Sequence, residues 1–215
     1  MSARTHPVPE QFDDPVQQRE AATLGMWAFL ATEVLFFGVL FAGYTLCRVM
    51  FPEAFAEGSR HTDMLLGTIE TAVLLTSSCA VALSVREVQL GGRRAATAML
   101  ALTAALGIAF LVMHGFEYYA EYREGLIPAI RYTQQGVYAR GMEIFYCLYY
   151  FITLFHSLHV TVGVLLLGVM AWRTWHRAFD QDYHTPLELT ALYWHLVDIV
   201  WIFVYPLIYL VGRSG

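Results

Sequence analysis

Residues 144–172 read IFYCLYYFITLFHSLHVTVGVLLLGVMAW, a run of 29 positions without a single Asp, Glu, Lys or Arg. As an α-helix it would be about 43 Å long at about 1.5 Å per residue, enough to cross a hydrocarbon core of about 30 Å. A lipid-spanning barrel strand would instead be a segment of about 10 residues alternating apolar and polar, and this run does not alternate. In hydrocarbon a helix satisfies its own backbone groups, so an uninterrupted apolar run of this length is a transmembrane helix.

Working outward, four more runs of the same kind lie at 24–46, 64–85, 95–116 and 189–211. Composition agrees with five crossings. The chain is 57% hydrophobic, 15% aromatic and 14% charged, against about 25% charged in a soluble domain, so its solvent is mostly lipid. The predicted fold class is all-α: a polytopic membrane bundle of five transmembrane helices at about 24–46, 64–85, 95–116, 144–172 and 189–211. A polar N-terminal tail, 1–21, carries Glu10, Asp13, Asp14 and Glu20, lacks a basic lead and is not expected to be a signal peptide. The span from 22 to 212 then forms one transmembrane domain whose short connections leave no room for a soluble one.

Several function classes fall away at this point. Cys47, Cys79 and Cys147 lie in or beside apolar runs without CxxC spacing, so neither a disulfide framework nor a thiolate metal site is expected. Every basic residue besides His is Arg, which removes Schiff-base and phosphate-loop lysines, and no GxxxxGK, GxSxG or HExxH motif is present. No nucleic-acid partner is expected of this chain, whose net charge is −5. Five crossings put the termini on opposite sides. The arginines divide almost evenly between those sides, but the three in the short second connection (Arg86, Arg93 and Arg94) favour a cytoplasmic N-terminus and an external C-terminus. Tyr118, Tyr119, Tyr122, Tyr132 and Tyr138 suit a headgroup-level aromatic belt. Small-residue pairs at Ala28/Thr32, Gly38/Ala42, Gly67/Thr71 and Ser157/Thr161 offer close helix approach.

An ionisable side chain inside a membrane helix costs about 2.5–3.5 kcal/mol on insertion scales, so each one poses a question of function. Counting depth along alternating crossings places Glu33, His156, His159, His195 and Asp198 in one layer towards the N-terminal side, drawn from the first, fourth and fifth spans. His195/Asp198 and His156/His159 are each three apart on a helical face and can pair directly, whereas Glu33 has no charged partner on its own helix. Glu70, His114 and Glu117 form an outer-side polar set nearer the opposite surface. The layer is open to several readings: a hydrogen-bonded network fixing helix register, a proton relay in a small proton-coupled transporter, or a haem clasped by His159 and His195 in a membrane cytochrome. A metal at the His-x-x-His pair would need further ligands at matching depth. No metal is assigned to this chain.

The segment Tyr193-Trp194-His195-Leu196-Val197-Asp198-Ile199-Val200-Trp201-Ile202-Phe203, followed by Tyr205-Pro206-Leu207-Ile208-Tyr209-Leu210, resembles the last helix of subunit III of haem-copper terminal oxidases, the cytochrome c oxidase and quinol oxidase subunit 3 family. Gly25-Met26-Trp27-Ala28-Phe29-Leu30-Ala31-Thr32-Glu33-Val34-Leu35-Phe36-Phe37-Gly38 is similar to the family's glutamate-bearing helix. Leu74-Leu75-Thr76-Ser77-Ser78, Phe155-His156-Ser157-Leu158-His159-Val160 and Glu117-Tyr118 match its middle helices. The resemblance covers about 24–212 and fits the short five-helix bacterial form, with His114 standing where Gln is frequent and Ser157 where Gly is.

The resemblance implies a non-catalytic subunit of a proton-pumping terminal oxidase in aerobic respiration. Haem and copper would sit in partner subunits I and II, with none in this chain. This chain would stabilise subunit I, bind phospholipid, sustain proton uptake and carry at Glu33 the family's carbodiimide-reactive carboxyl. It would lie in the bacterial cytoplasmic (inner) membrane, N-terminus inside, and could join a larger respiratory supercomplex. A related role, as accessory subunit of a nitric oxide reductase system, is the alternative within the family.

Overall fold

The computed structural model describes residues 12, 14–128, 131–133, 135–179 and 183–213. Glu10, Asp13 and most of the expected polar tail therefore lie outside the described residues, as does the loop around Asp180. Among the described residues six α-helices follow in order: α1 Pro15–Met50, α2 Pro52–His61, α3 Met64–Gln89, α4 Arg93–Glu124, α5 Ala139–Trp175 and α6 Thr185–Tyr209. A two-stranded antiparallel hairpin, β1 Leu126–Ile127 and β2 Arg131–Tyr132, sits between α4 and α5, and a 3₁₀ turn, Val211–Arg213, follows α6. Among the described residues α1, α3, α4, α5 and α6 are long and apolar enough to cross a membrane. Five spans are thus observed; α1, α3, α4 and α5 extend past their apolar runs, while α6 begins four residues before its run and ends at Tyr209, two residues short of it.

The ends of the helices explain those extensions. The helix α1 begins at Pro15, inside the segment expected as tail. Asp14 caps it by accepting from the Gln17 backbone N–H at 2.7 Å, and proline fits the first turn, where its missing N–H has no partner to lose. Asp63 does the same for α3, accepting from Leu65 and Leu66. Gly125, at φ +72°, ends α4 in the left-handed conformation that a Cβ disfavours and turns the chain into the hairpin.

Four spans, α3 to α6, make a close bundle in which α6 is central, and α1 lies against it through a narrow stripe. The buried residues of α1 are Leu30, Phe37 and Tyr44, spaced by seven, while those of α6 include Trp194, Val197, Trp201, Val204 and Ile208. Two glycines admit the largest of these. A Cβ at Gly163 of α5 would stand 2.7 Å from the Trp194 ring, and one at Gly107 of α4 would also stand 2.7 Å from it, so the indole fills a notch cut by both. Its Nε1–H donates to Ser77 Oγ of α3 at 3.0 Å. One turn pair further on, Trp201 donates to Thr71 Oγ1 at 3.1 Å. The short α2 packs at the end where α1 finishes, with Gly58 against the Phe145 ring of α5.

The small-residue pairs divide accordingly. Gly67/Thr71 lies inside the bundle, Gly67 beneath the Tyr205 and Tyr209 rings. Ala28, Thr32, Gly38 and Ala42 face away from it, and nothing lies within 4 Å of a Cβ built on Gly38. A peripheral α1 leaves these positions unused within the chain. The tyrosine belt is also partial: Tyr119, Tyr122 and Tyr138 are exposed, but Tyr118 turns inward to Thr153 Oγ1 and Tyr132 donates to the Ala139 carbonyl.

Candidate functional site

Depth along the membrane does not by itself bring the expected polar layer together, because helix rotation sends its members to different partners. Glu33 of α1 and His159 of α5 meet, with Oε2 to Nε2 at 3.0 Å and each side chain 17% exposed. His159 Nδ1 lies 2.7 Å from the Phe155 carbonyl, and Tyr193 donates to the His159 carbonyl at 3.1 Å. His195 turns to α3, where its Nδ1 is 2.7 Å from Ser78 Oγ. The buried Asp198 carboxyl has no hydrogen-bond partner among the described residues, so His195 and Asp198 do not pair. His156 is fully buried without a hydrogen-bond partner, held against Trp201 and Phe110 with ring centroids 4.9 and 5.5 Å away. His156 and His159 therefore do not pair, and His159 and His195 point to α1 and α3 respectively instead of towards a common haem.

The geometry of Glu33 and His159 fixes how their protons are shared. A carbonyl oxygen only accepts, so the contact with Phe155 requires a proton on His159 Nδ1. The short Nε2 to Oε2 contact then needs one further proton, carried either by the imidazole, making an ion pair, or by the carboxyl, donating to neutral imidazole. The two groups share a single transferable proton. Both line a mostly apolar cleft of about 440 Å³ between α1 and the α5/α6 edge, with Met26, Phe29, Leu158 and Leu189 among its walls and Thr190 and Tyr193 beside them. A larger cleft of about 1120 Å³ adjoins the first turns of α1 and α6, where Gln18, Arg19 and Thr185 stand above Trp27 and Leu189. Leu189 borders both.

Nearer the other end, Glu70 of α3 and His114, Glu117 and Glu121 of α4 come together behind the bundle surface, all buried. His114 Nδ1 is 3.6 Å from Glu70 Oε1 and 3.3 Å from Glu117 Oε2. Tyr209 donates to Glu117 Oε2 and Tyr150 to Glu121 Oε2, each at 2.7 Å. The outer-side set expected from sequence is thus one cluster, and it has members the sequence reading did not single out: Glu121, Tyr150 and Tyr209. The spacing 114, 117, 121 on one face of α4 is a signal that could have found Glu121; the tyrosines come from α5 and α6 and have no such local signal.

These features define a class: a polytopic helical membrane protein with polar groups buried at two levels. Comparison with known proteins is more specific. The family model described as cytochrome c oxidase subunit III matches residues 13–213. Cytochrome c oxidase subunit 3 of Thermostichus vulcanus is 31% identical over 191 residues, covering 88% of this chain and 87% of that protein. The cytochrome bo(3) ubiquinol oxidase subunit 3 of Pseudomonas aeruginosa is 29% identical over 210 residues, covering 98% and 94%. That of Cyprinus carpio, a cytochrome c oxidase subunit 3, is 34% identical over 201 residues, covering 91% and 70%. The chain belongs to the cytochrome c oxidase subunit III family.

Proposed function

We propose that this chain is the non-catalytic subunit III of a proton-pumping haem-copper terminal oxidase, and that it stabilises subunit I, holds phospholipid and sustains proton uptake. In this reading haem and copper reside in subunits I and II. The chain lies in a bacterial inner membrane with its N-terminus in the cytoplasm.

The observation that carries the proposal is the Glu33–His159 pair on the wall of the cleft beside α1. A carboxyl and an imidazole in contact at a lipid-accessible site can pass one proton between them with no change in net buried charge, and the pair changes charge by one unit only when that proton is taken up or released. The adjoining clefts suit a phospholipid in kind: apolar walls for acyl chains and Arg19 near the mouth of the larger one for a phosphate. Occupied by lipid, they would brace α1, whose own packing is a single stripe. The outward face of α1 around Gly38 and Ala42, with exposed Thr161 and half-buried Ser157 on α5, is the surface assigned to subunit I, since small residues let another helix approach closely.

The test is Glu33→Ala and Glu33→Gln in the assembled oxidase, reconstituted in vesicles, with oxygen uptake, proton release and bound lipid followed over many turnovers. Haem spectra and initial electron transfer should be unchanged. Glu33→Ala should pump less or inactivate faster, and Glu33→Gln should be milder. Equal pumping, inactivation and lipid content in native and Glu33→Ala complexes would reduce Glu33 to a packing residue.

A further inference from the structure

We propose that Glu70, His114 and Glu117 form a binding site for one divalent transition ion, zinc by its ligand chemistry, buried between α3 and α4. One ligand atom from each of the three residues lies within 4.8 Å of the others. Around a zinc ion with bonds of about 2.0–2.1 Å, tetrahedral geometry sets neighbouring ligand atoms about 3.3–3.4 Å apart. The separations from His114 Nδ1, 3.3 Å to Glu117 and 3.6 Å to Glu70, bracket that edge.

Hydrogen bonding within the cluster does not account for the arrangement. Neither oxygen of Glu70 and neither nitrogen of His114 has a hydrogen-bond partner, and the Glu117 oxygen not bound by Tyr209 has none. Glu70 is 0% exposed and aimed at the imidazole, so three polar groups converge on one point where the Tyr209 hydroxyl, on Glu117, is the one hydrogen-bond donor that meets them among the described residues. Native structures seldom leave such groups orphaned. Charge gives the same answer. Two carboxylates, a neutral imidazole and a divalent cation sum to zero, which an apolar interior tolerates; the same carboxylates facing one imidazolium retain a net negative charge.

The surroundings are those of a supported ligand set. Tyr209 donates to Glu117 Oε2 at 2.7 Å, orienting that carboxylate as outer-shell donors orient metal ligands. The imidazole is held by rings instead: stacked on Phe110 at 5.7 Å and against Tyr118 at 4.6 Å. Imidazole with carboxylates suits zinc, while a site for calcium or magnesium would be built from oxygen ligands.

The oxidase complex, purified through a tag on this chain from zinc-replete cells without chelator, tests the inference, and co-purification of the haem-copper subunit reports separately on the proposed function. Metal analysis should find about one more zinc per copy of this chain in the native complex than in His114→Gln or Glu70→Gln, with His195→Gln retaining it. X-ray absorption at the zinc edge should show one imidazole nitrogen and carboxylate oxygens at about 2.0–2.1 Å. Equal zinc in native, His114→Gln and Glu70→Gln complexes would overturn the site. So would a zinc shell without histidine in the native complex, a measurement that needs no variant to fold.

Discussion

Replacing Gly163 with Ala adds one methyl group where the Trp194 ring of α6 lies against the backbone of α5. The new Cβ would sit 2.7 Å from Trp194 Cε3 and Cζ3, about 1 Å inside the usual carbon–carbon contact of about 3.5–4.0 Å. The indole has little room to yield. It is 0% exposed, its far edge abuts Gly107, and its Nε1–H is tied to Ser77 Oγ. Overpacking of this kind costs about 1–3 kcal/mol, and Gly107→Ala, which meets the same ring and Val164 Cγ2 at 2.7 Å, should cost a similar amount. The ring itself can be tested as the cause. In a Trp194→Phe background the benzo edge is withdrawn, so the alanine penalty should shrink by at least about 0.5 kcal/mol, the coupling expected of residues in contact. Unfolding of the detergent-solubilised subunit, followed by Trp fluorescence and by retention of helical signal against denaturant, measures all four corners of the cycle. Native-like stability of Gly163→Ala, or the same penalty with Trp and with Phe at 194, would refute the notch as the source of α5–α6 packing.

Three further expectations follow from other contacts. Ser77→Ala should destabilise the bundle by about 1–3 kcal/mol, because it removes the acceptor of a buried Trp194 N–H; a melting curve unchanged from native would show that another acceptor takes over. In a cysteine-free background, Leu90→Cys in the turn after α3 and Val137→Cys before α5 should be labelled by impermeant maleimide from opposite faces of the membrane, the first from the cytoplasm. Both side chains are well exposed, at 63% and 95%, whereas Gly58 packs on Phe145 and is a poor labelling site. Labelling from one face would break the five-span topology. Gly38→Leu on the outward face of α1 should weaken retention of the haem-copper subunit in detergent while leaving this chain's own melting unchanged, since among the described residues no packing neighbour of α1 lies within 4 Å of that Cβ. A drop in the chain's own stability would place Gly38 in an internal contact.

The five crossings were legible in the sequence because they depend on a local property. Each run of 20 or so apolar residues must be a helix in hydrocarbon whatever its neighbours do. The helix ends past those runs were not, since Pro15–Ala21 of α1 and the last two turns of α4 are polar enough to read as tail and loop. Family membership was legible for a similar reason: its signature around His195 and Asp198 is a contiguous string.

What the sequence determined about the polar groups was their depth, because rise per residue is fixed. What the tertiary structure decided was their azimuth. Helices with almost no apolar asymmetry carry no local signal for their rotation, and the packing of α6 between its neighbours sets which way each face turns. Glu33 finds His159 across two helices 126 positions apart in the chain, and His195 finds Ser78 instead of Asp198. Ala28, Thr32, Gly38 and Ala42 turn outward although their spacing equals that of the inward-facing Gly67/Thr71 pair, of which Gly67 is buried and Thr71 half-buried. Glu70, His114 and Glu117 become one cluster because α3 and α4 form an antiparallel pair joined by a tight turn, which brings the start of one beside the end of the other. Composition sets that a polar side chain is buried in the membrane; the rotation of its helix, settled by contacts distant in the chain, sets which partner it meets there.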